Sequence, residues 1–178
     1  HRRHRVTVVI NRKITASREL TAAPYGGPVS AEPNSYEGKE TAVRRCENIY
    51  AVGDSVGMCR FTTKLFNSPS LPGYEEFADQ VANVTGIELT NEAIDHIGLN
   101  VMGVERLINA KLGITRADDT LPKRWFEEAI GVGPYKGEKI DRAEFDKMLS
   151  RFYAISNLTE EGVPTPEWRE ELEGVLTA

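Results

Sequence analysis

The spacing of apolar residues constrains the fold of this chain most, because they recur every three or four positions along much of the sequence. The clearest stripe has spacings of i, i+3, i+4, i+7 and i+8 and stops at Gly86; its members are Tyr74, Phe77, Ala78, Val81 and Ala82. Such a stripe places one face of a helix in a core, whereas a strand would alternate every second residue. The chain is therefore expected to fold from packed helices.

Other segments carry helical signals of the same kind. One helix is predicted over about residues 38–52, with Ala42, Val43, Cys46, Ile49 and Tyr50 facing inward. Thr90 is a suitable N-cap for a longer helix that stops near Gly113. Its predicted inward residues are Ile94, Ile97, Val101, Val104, Leu107 and Ile108. A single helical turn is predicted over Trp125–Ile130.

Two helices are predicted near the end of the chain from their capping residues. Asp141 and Glu144 have the spacing of a capping box, and the helix that follows has Phe145, Met148, Leu149, Phe152 and Tyr153 on one face. The last helix begins at Thr165-Pro166, since proline is favoured at the first helical position. It is predicted to bury Trp168, Leu172 and Val175.

The segments between these helices are rich in proline and glycine. Residues 22–39 are predicted to be a loop, and 6–10 a short strand or a buried helix start. The periodicity also lapses between Asp54 and Gly73. The fold is therefore expected to be all-α: one irregular domain of five or six helices over residues 1–178, with an irregular lead segment over 1–39.

Composition narrows the possible functions of the 178-residue chain. A hydrophobic fraction of 40% with 28% charged residues is typical of a globular protein, and no apolar run is long enough to span a membrane. The net charge of −5 argues against a nucleic-acid partner. Two cysteines give no disulfide framework, so a reducing cytoplasmic compartment is expected.

The segment Asp54-Ser55-Val56-Gly57-Met58-Cys59 contains chemistry suited to a large cofactor. Asp54 can accept paired N–H donors from a heterocycle, although it could also simply end the preceding helix. Gly57 lets a ligand approach the backbone. Cys59 is a soft donor for an iron–sulfur cluster, zinc or copper(I), or otherwise a small buried hydrophobe.

With the residues that follow, Arg60 to Lys64, this segment resembles the last cofactor motif, D-x-x-G-L-C, of the aldehyde:ferredoxin oxidoreductase family. Further similarity is seen at 68–74, 118–124, 136–137 and 162–165. Members of the family are tungsten or molybdenum enzymes with a bis-pyranopterin cofactor beside one [4Fe–4S] cluster. The resemblance implies that Asp54, Gly57 and Met58 contact a pterin and that Cys59 is the fourth cluster ligand. Met58 replaces the usual leucine, a residue of similar volume.

The resemblance also implies an architecture and an activity. The chain is expected to be the C-terminal helical domain of a longer enzyme, whose absent N-terminal domains supply the other three cluster cysteines and the second pterin site. The whole enzyme would oxidise aldehydes to carboxylates in anaerobic metabolism and pass electrons to ferredoxin, while this fragment alone would be inactive. One alternative is a reductase of aromatic acyl-CoA rings from the same family; another is a stand-alone helical interaction module without a cofactor.

Several other residues have two possible roles, and no catalytic residue is predicted. Cys46 is expected to pack in the core. Arg60 and Lys64 could face the anionic cofactor or be solvated cations. His1 and His4 faintly resemble a family histidine near the substrate pocket, whereas His96 is expected at the surface. The acids of the Asp118-Asp119 pair either line the substrate channel or favour a helix start.

Overall fold

A computed structural model describes residues 28–30, 32, 34–62 and 72–177. The helices in these ranges, numbered in chain order, are α1 Lys39–Ser55, α2 Tyr74–Thr85, α3 Asn91–Lys111, α4 Arg124–Glu127, α5 Arg142–Ile155 and α6 Pro166–Thr177. Two 3₁₀ turns cover Arg60–Thr62 and Arg116–Asp118. The β-contact found in this part of the chain is an isolated bridge between Leu158 and Pro164. The all-α prediction is confirmed.

Side-chain caps fix where three of the helices begin. Thr90 Oγ1 accepts the Ala93 N–H at 3.1 Å before α3, and Thr165 Oγ1 accepts the Trp168 N–H at 3.4 Å at the start of α6. Asp141 caps α5 by accepting the Glu144 N–H at 2.9 Å. The predicted reciprocal capping box does not form there, because the Asp141 N–H donates instead to the Tyr36 hydroxyl at 2.9 Å.

Two clusters of buried side chains form the core of the described ranges. The first lies between α1, α2 and the start of α3; its members are Val29, Ala42, Cys46, Ile49, Tyr50, Val52, Tyr74, Phe77, Ala78 and Ile94. The second lies between α3, α5 and α6; its members are Leu99, Leu107, Phe152, Tyr153, Leu158, Trp168 and Leu172. The 21-residue helix α3 contributes to both clusters and joins them.

The inward face predicted for α3 is partly wrong. Ile97 and Ile108 are 39% and 53% exposed, whereas Leu99, which was not predicted to face inward, is 6% exposed. The buried face is set by a glycine: a Cβ added to Gly98 would lie 2.6 Å from the carbonyl oxygen of Asn48 in α1. Close approach of two helix backbones thus decides which side of α3 turns inward.

The turn predicted over Trp125–Ile130 exists but is shorter, because α4 ends at Glu127. Beyond it the chain folds back, and the Ile140 N–H donates to the Trp125 carbonyl oxygen at 3.0 Å. The predictions for residues 6–10, for 22–27, 31 and 33 within the predicted loop, for Ser68–Leu71 and for the Val175 side chain lie outside the described residues. Among the described helices, none has the length and apolar character needed to cross a bilayer.

Candidate functional site

Gly57 and Met58, which follow Asp54, end helix α1 through two backbone hydrogen bonds. The Gly57 N–H donates to the Asp54 carbonyl oxygen at 3.3 Å, and the Met58 N–H donates to the Gly53 carbonyl oxygen at 2.7 Å. This pair of bonds is a Schellman motif, in which the residue at the Gly57 position is left-handed; its φ is +77°. Met58 packs against the first core cluster. Met58 therefore anchors the turn.

The turn presents Cys59 outward. The Cys59 carbonyl oxygen accepts both the Thr62 N–H at 2.9 Å and the Thr62 hydroxyl at 2.7 Å, which fixes the backbone in a 3₁₀ turn. The cysteine is exposed and in no disulfide. A thiol held in this way at the surface can serve as a ligand for a group that lies outside the described residues.

The Asp54 carboxylate is held by Arg60. Arg60 Nε donates to Asp54 Oδ1 at 3.3 Å, and Arg60 Nη2 donates to Asp54 Oδ2. Both side chains remain open to solvent, at 50% exposure for Asp54 and 45% for Arg60. The hydrogen bond to Asp54 is the main reason that the pKa of Arg60 is raised. The candidate pterin acceptor is thus already oriented by a neighbour on the same turn.

In the part of the chain that the structure describes, the surface beside these groups is open. A Cβ built on Gly57 would meet no atom within 4 Å, and Val56 and Phe61 are exposed on either side of Cys59. One thiolate cannot hold a cubane cluster, which takes four. Among the described residues no group of three or more His, Cys, Asp or Glu side chains could bind a metal ion. Among the described residues, the donors at this turn therefore do not make up a complete cluster site.

The two cysteines differ sharply in environment. Cys46 is buried within the first core cluster. Burial is the main cause that raises the pKa of the Cys46 thiol to about 12, with a smaller contribution from the charge of Glu47. A neutral thiol sealed in the core is a poor ligand, in agreement with the packing role predicted for Cys46.

The remaining predicted residues have structural partners or lie elsewhere. Asp118 accepts the Thr115 N–H at 2.9 Å within the capped 3₁₀ turn, and Asp119 accepts from Arg106 and the Tyr153 hydroxyl. These bonds give both acids a structural role. The exposed His96 Nε2 lies 2.7 Å from Glu171 Oε1, consistent with a surface residue. His1, His4 and Lys64 lie outside the described residues.

A cluster around Asp95 was not predicted from the sequence. Its carboxylate accepts from Arg44 at 3.0 Å, Arg45 at 3.2 Å, Asn48 at 3.2 Å and the Tyr74 hydroxyl at 2.6 Å. Partial burial acts to raise the pKa of Asp95, but the bonds from Tyr74 and Asn48 and the charge of Arg44 outweigh it and lower the pKa. The cluster ties α1, α2 and α3 together. In the sequence, the cluster was signalled only by the adjacent arginines Arg44 and Arg45 beside the apolar stripe of α1.

The fold is similar to that of a known redox enzyme. It resembles a chain of the active site complex BamBC of benzoyl coenzyme A reductase, solved with 1,5-dienoyl-CoA, with a TM-score of 0.63 and 18% identity. The similarity covers 80% of this chain and 20% of that chain. At 18% identity the match shows a shared helical fold and does not by itself show a shared function.

Sequence comparison identifies the family. Residues 4–173 match the family described as "Aldehyde ferredoxin oxidoreductase, domains 2 & 3", and the chain belongs to this family of oxidoreductases. The predicted family is thus confirmed.

Relatives in the family include oxidoreductases of Pyrococcus species. The chain is 38% identical over 127 residues to the tungsten-containing aldehyde ferredoxin oxidoreductase of Pyrococcus furiosus, and 32% identical over 148 residues to that of Pyrococcus horikoshii. These matches cover 71% and 82% of this chain. An aliphatic sulfonate oxidoreductase, WOR-like subunit, of P. furiosus is 29% identical over 132 residues. The chain spans only about a fifth of the length of these relatives, from 20% to 23%.

Proposed function

We propose that this chain is the C-terminal helical domain of a tungsten- or molybdenum-pterin oxidoreductase that oxidises aldehydes to carboxylates and passes the electrons through a [4Fe–4S] cluster to ferredoxin. The observation that carries the proposal is the exposed Cys59 thiol, which follows the half-exposed Asp54 by five residues in the motif that resembles the family's. Membership of the family supports it. The N-terminal domains of the longer enzyme would complete the site.

Each residue of the motif has a proposed role that its geometry suits. Cys59 would supply the fourth thiolate to the cluster. Asp54 would accept N–H donors of the pterin, and the open space over Gly57 would admit the heterocycle to the backbone. Met58 would hold the turn in place from within the core, so that the ligands do not shift. When bound, the pterin-held metal would supply two-electron chemistry and the cluster one-electron transfer.

The protein's own part in the reaction is placement and exclusion of water. The Schellman turn and the 3₁₀ turn hold the backbone at Asp54 and Cys59 with hydrogen bonds, and preorganised ligands lose less entropy when a cofactor binds. Val56 and Phe61 would be covered by the cofactor or by the neighbouring domain. Removing water around the site would strengthen the hydrogen bonds to Asp54.

An aldehyde is the proposed substrate class because relatives at 32–38% identity bear that name. The similarity to the benzoyl coenzyme A reductase complex is limited to the fold at 18% identity, so it gives less support to an aromatic acyl-CoA substrate. The proposed partners are the remaining domains of the enzyme, a small aldehyde and ferredoxin, in the cytoplasm.

The proposal can be tested with the complete gene product purified without oxygen. We expect it to contain iron, tungsten or molybdenum, and pterin, and to reduce ferredoxin or a viologen dye when an aldehyde is added. The isolated 178-residue chain should give a helical circular dichroism spectrum, but no cluster absorbance and no aldehyde oxidation. A complete product without pterin or cluster would instead support a helical interaction module.

A further inference from the structure

We propose that Arg60 is a positioning residue, which holds the Asp54 carboxylate in the orientation that binds the pterin. This inference rests on the proposed function, since it takes Asp54 as the pterin acceptor. It goes further by assigning to Arg60 a task that neither family membership nor the motif residues assign. The alternative is that Arg60 is an exposed cation with no effect on the site.

The contact between the two side chains leaves room for a second partner. Arg60 donates through Nε to one carboxylate oxygen and through Nη2 to the other. A carboxylate offers about four lone-pair positions, so each Asp54 oxygen retains a position for a further donor. The guanidinium fork therefore fixes the plane of the carboxylate while the outer side stays open to solvent at 50% exposure.

Arg60 is itself supported by the core. Its guanidinium carbon lies 5.3 Å from the centre of the Tyr50 ring, and Tyr50 is buried one helical turn before Asp54. A cation over an aromatic face is attracted by the ring. An arginine guanidinium stays protonated in proteins, so the side chain keeps its positive charge. The clamp thus connects the exposed carboxylate to a buried ring.

The position of Asp54 explains why it needs such a clamp. It lies in the last turn of α1, where the exposed carbonyl groups give the helix a partial negative charge. A carboxylate there is repelled by the helix end and would turn toward water. The positive charge of Arg60 offsets this repulsion. The Asp54 carboxylate can therefore keep one orientation toward the N–H donors of the pterin.

A double-mutant cycle in the complete gene product tests the proposal. The variants are R60Q, R60K, D54N and R60Q/D54N, with K147Q as the control; Lys147 is in an exposed ion pair with Glu144 on α5. The readouts are pterin content per chain and its loss over time, measured by fluorescence of the released oxidised pterin, together with iron content and melting temperature.

We expect R60Q to lose pterin about tenfold faster than wild type, with iron content and melting temperature unchanged. The rate of pterin loss from R60K should lie between those of wild type and R60Q, because lysine keeps the charge but not the planar fork of donors. The double variant should be no worse than D54N, since Arg60 acts through Asp54. K147Q should match wild type.

Several results would overturn the inference. Wild-type pterin retention in R60Q, or slower loss than wild type, would mean that Arg60 has no role or competes for Asp54. Additive losses in the double variant would mean that it acts independently of Asp54, and equal loss of iron and pterin would indicate general destabilisation. Wild-type retention in D54N would refute the proposed role of Asp54 itself, whereas loss in D54N but not R60Q would refute only the clamp.

Discussion

The Met58 N–H donates to the Gly53 carbonyl oxygen at 2.7 Å, and this bond closes the turn that carries the chain out of α1. It places the thioether of Met58 against the core and leaves the next residue, Cys59, at the surface. The turn requires a left-handed residue at Gly57. The motif residues therefore have a folding role that is independent of any cofactor.

Gly57→Ala is expected to lower the free energy of unfolding by about 1–2 kcal/mol, because a Cβ disfavours the left-handed conformation. Space is not the cause, since the added Cβ meets no atom within 4 Å. Urea unfolding of the isolated chain, followed by circular dichroism, measures the change. Gly131→Ala is the control, since that Cβ also has open space and Gly131 has no positive φ. Equal effects of the two substitutions would contradict the turn geometry.

The two thiols should react at very different rates in the folded chain. Cys59 is exposed, whereas Cys46 is buried with its pKa raised to about 12 mainly by that burial. Because the thiolate is the reactive form, iodoacetamide near neutral pH should modify Cys59 first. Mass spectrometry of timed samples would show one modified thiol, and a second only under unfolding conditions. Rapid modification of Cys46 in the folded chain would show that this part of the core is open.

Asp95→Asn is expected to destabilise the chain by about 2–3 kcal/mol, because two arginines lose the charge that they share. The pKa of Asp95 is lower in the folded protein than its ordinary value of 3.8. The stabilisation that ionised Asp95 gives the folded chain is therefore fully present above its ordinary pKa, and it is lost as the pH falls through the lower pKa of the folded protein. Urea unfolding measured from neutral pH down into the acid range should show the difference in unfolding free energy between wild type and variant becoming smaller as the pH falls.

Asp79→Asn on the exposed side of α2 provides the control for this experiment. It changes the same charge without touching the cluster of Asp95, Arg44, Arg45 and Tyr74. Its unfolding free energy should follow that of wild type at every pH. A gap of constant size between wild type and Asp95→Asn at all pH values would contradict the role of the ionised carboxylate.

Local sequence signals were sufficient for most of the helices. The apolar stripe of α2 and the caps at Thr90, Asp141 and Thr165 depend on residues within one or two turns of one another. Such signals can be read without knowing which helices pack together. The starts of α1, α3, α5 and α6 and the ends of α2 and α3 were therefore predicted closely.

Features that depend on the packing of distant segments were missed. The inward face of α3 is decided by Gly98 against Asn48, and a glycine contributes no hydrophobic signal to a stripe. The Asp95 cluster joins side chains about fifty residues apart. The motif at Asp54 to Cys59 was recognised from its resemblance to a family, whereas the Arg60 clamp became visible only in the folded turn.

The most direct test of the proposed function is the iron content of Cys59→Ser in the complete gene product, with Cys46→Ser as the matched control. Loss of the fourth thiolate should remove or cripple the cluster while the helical spectrum stays unchanged. Cys46→Ser should retain its iron and lose only stability, since a hydroxyl would be buried in the core. Wild-type iron and sulfide content in Cys59→Ser would contradict the assignment of this cysteine as the cluster ligand.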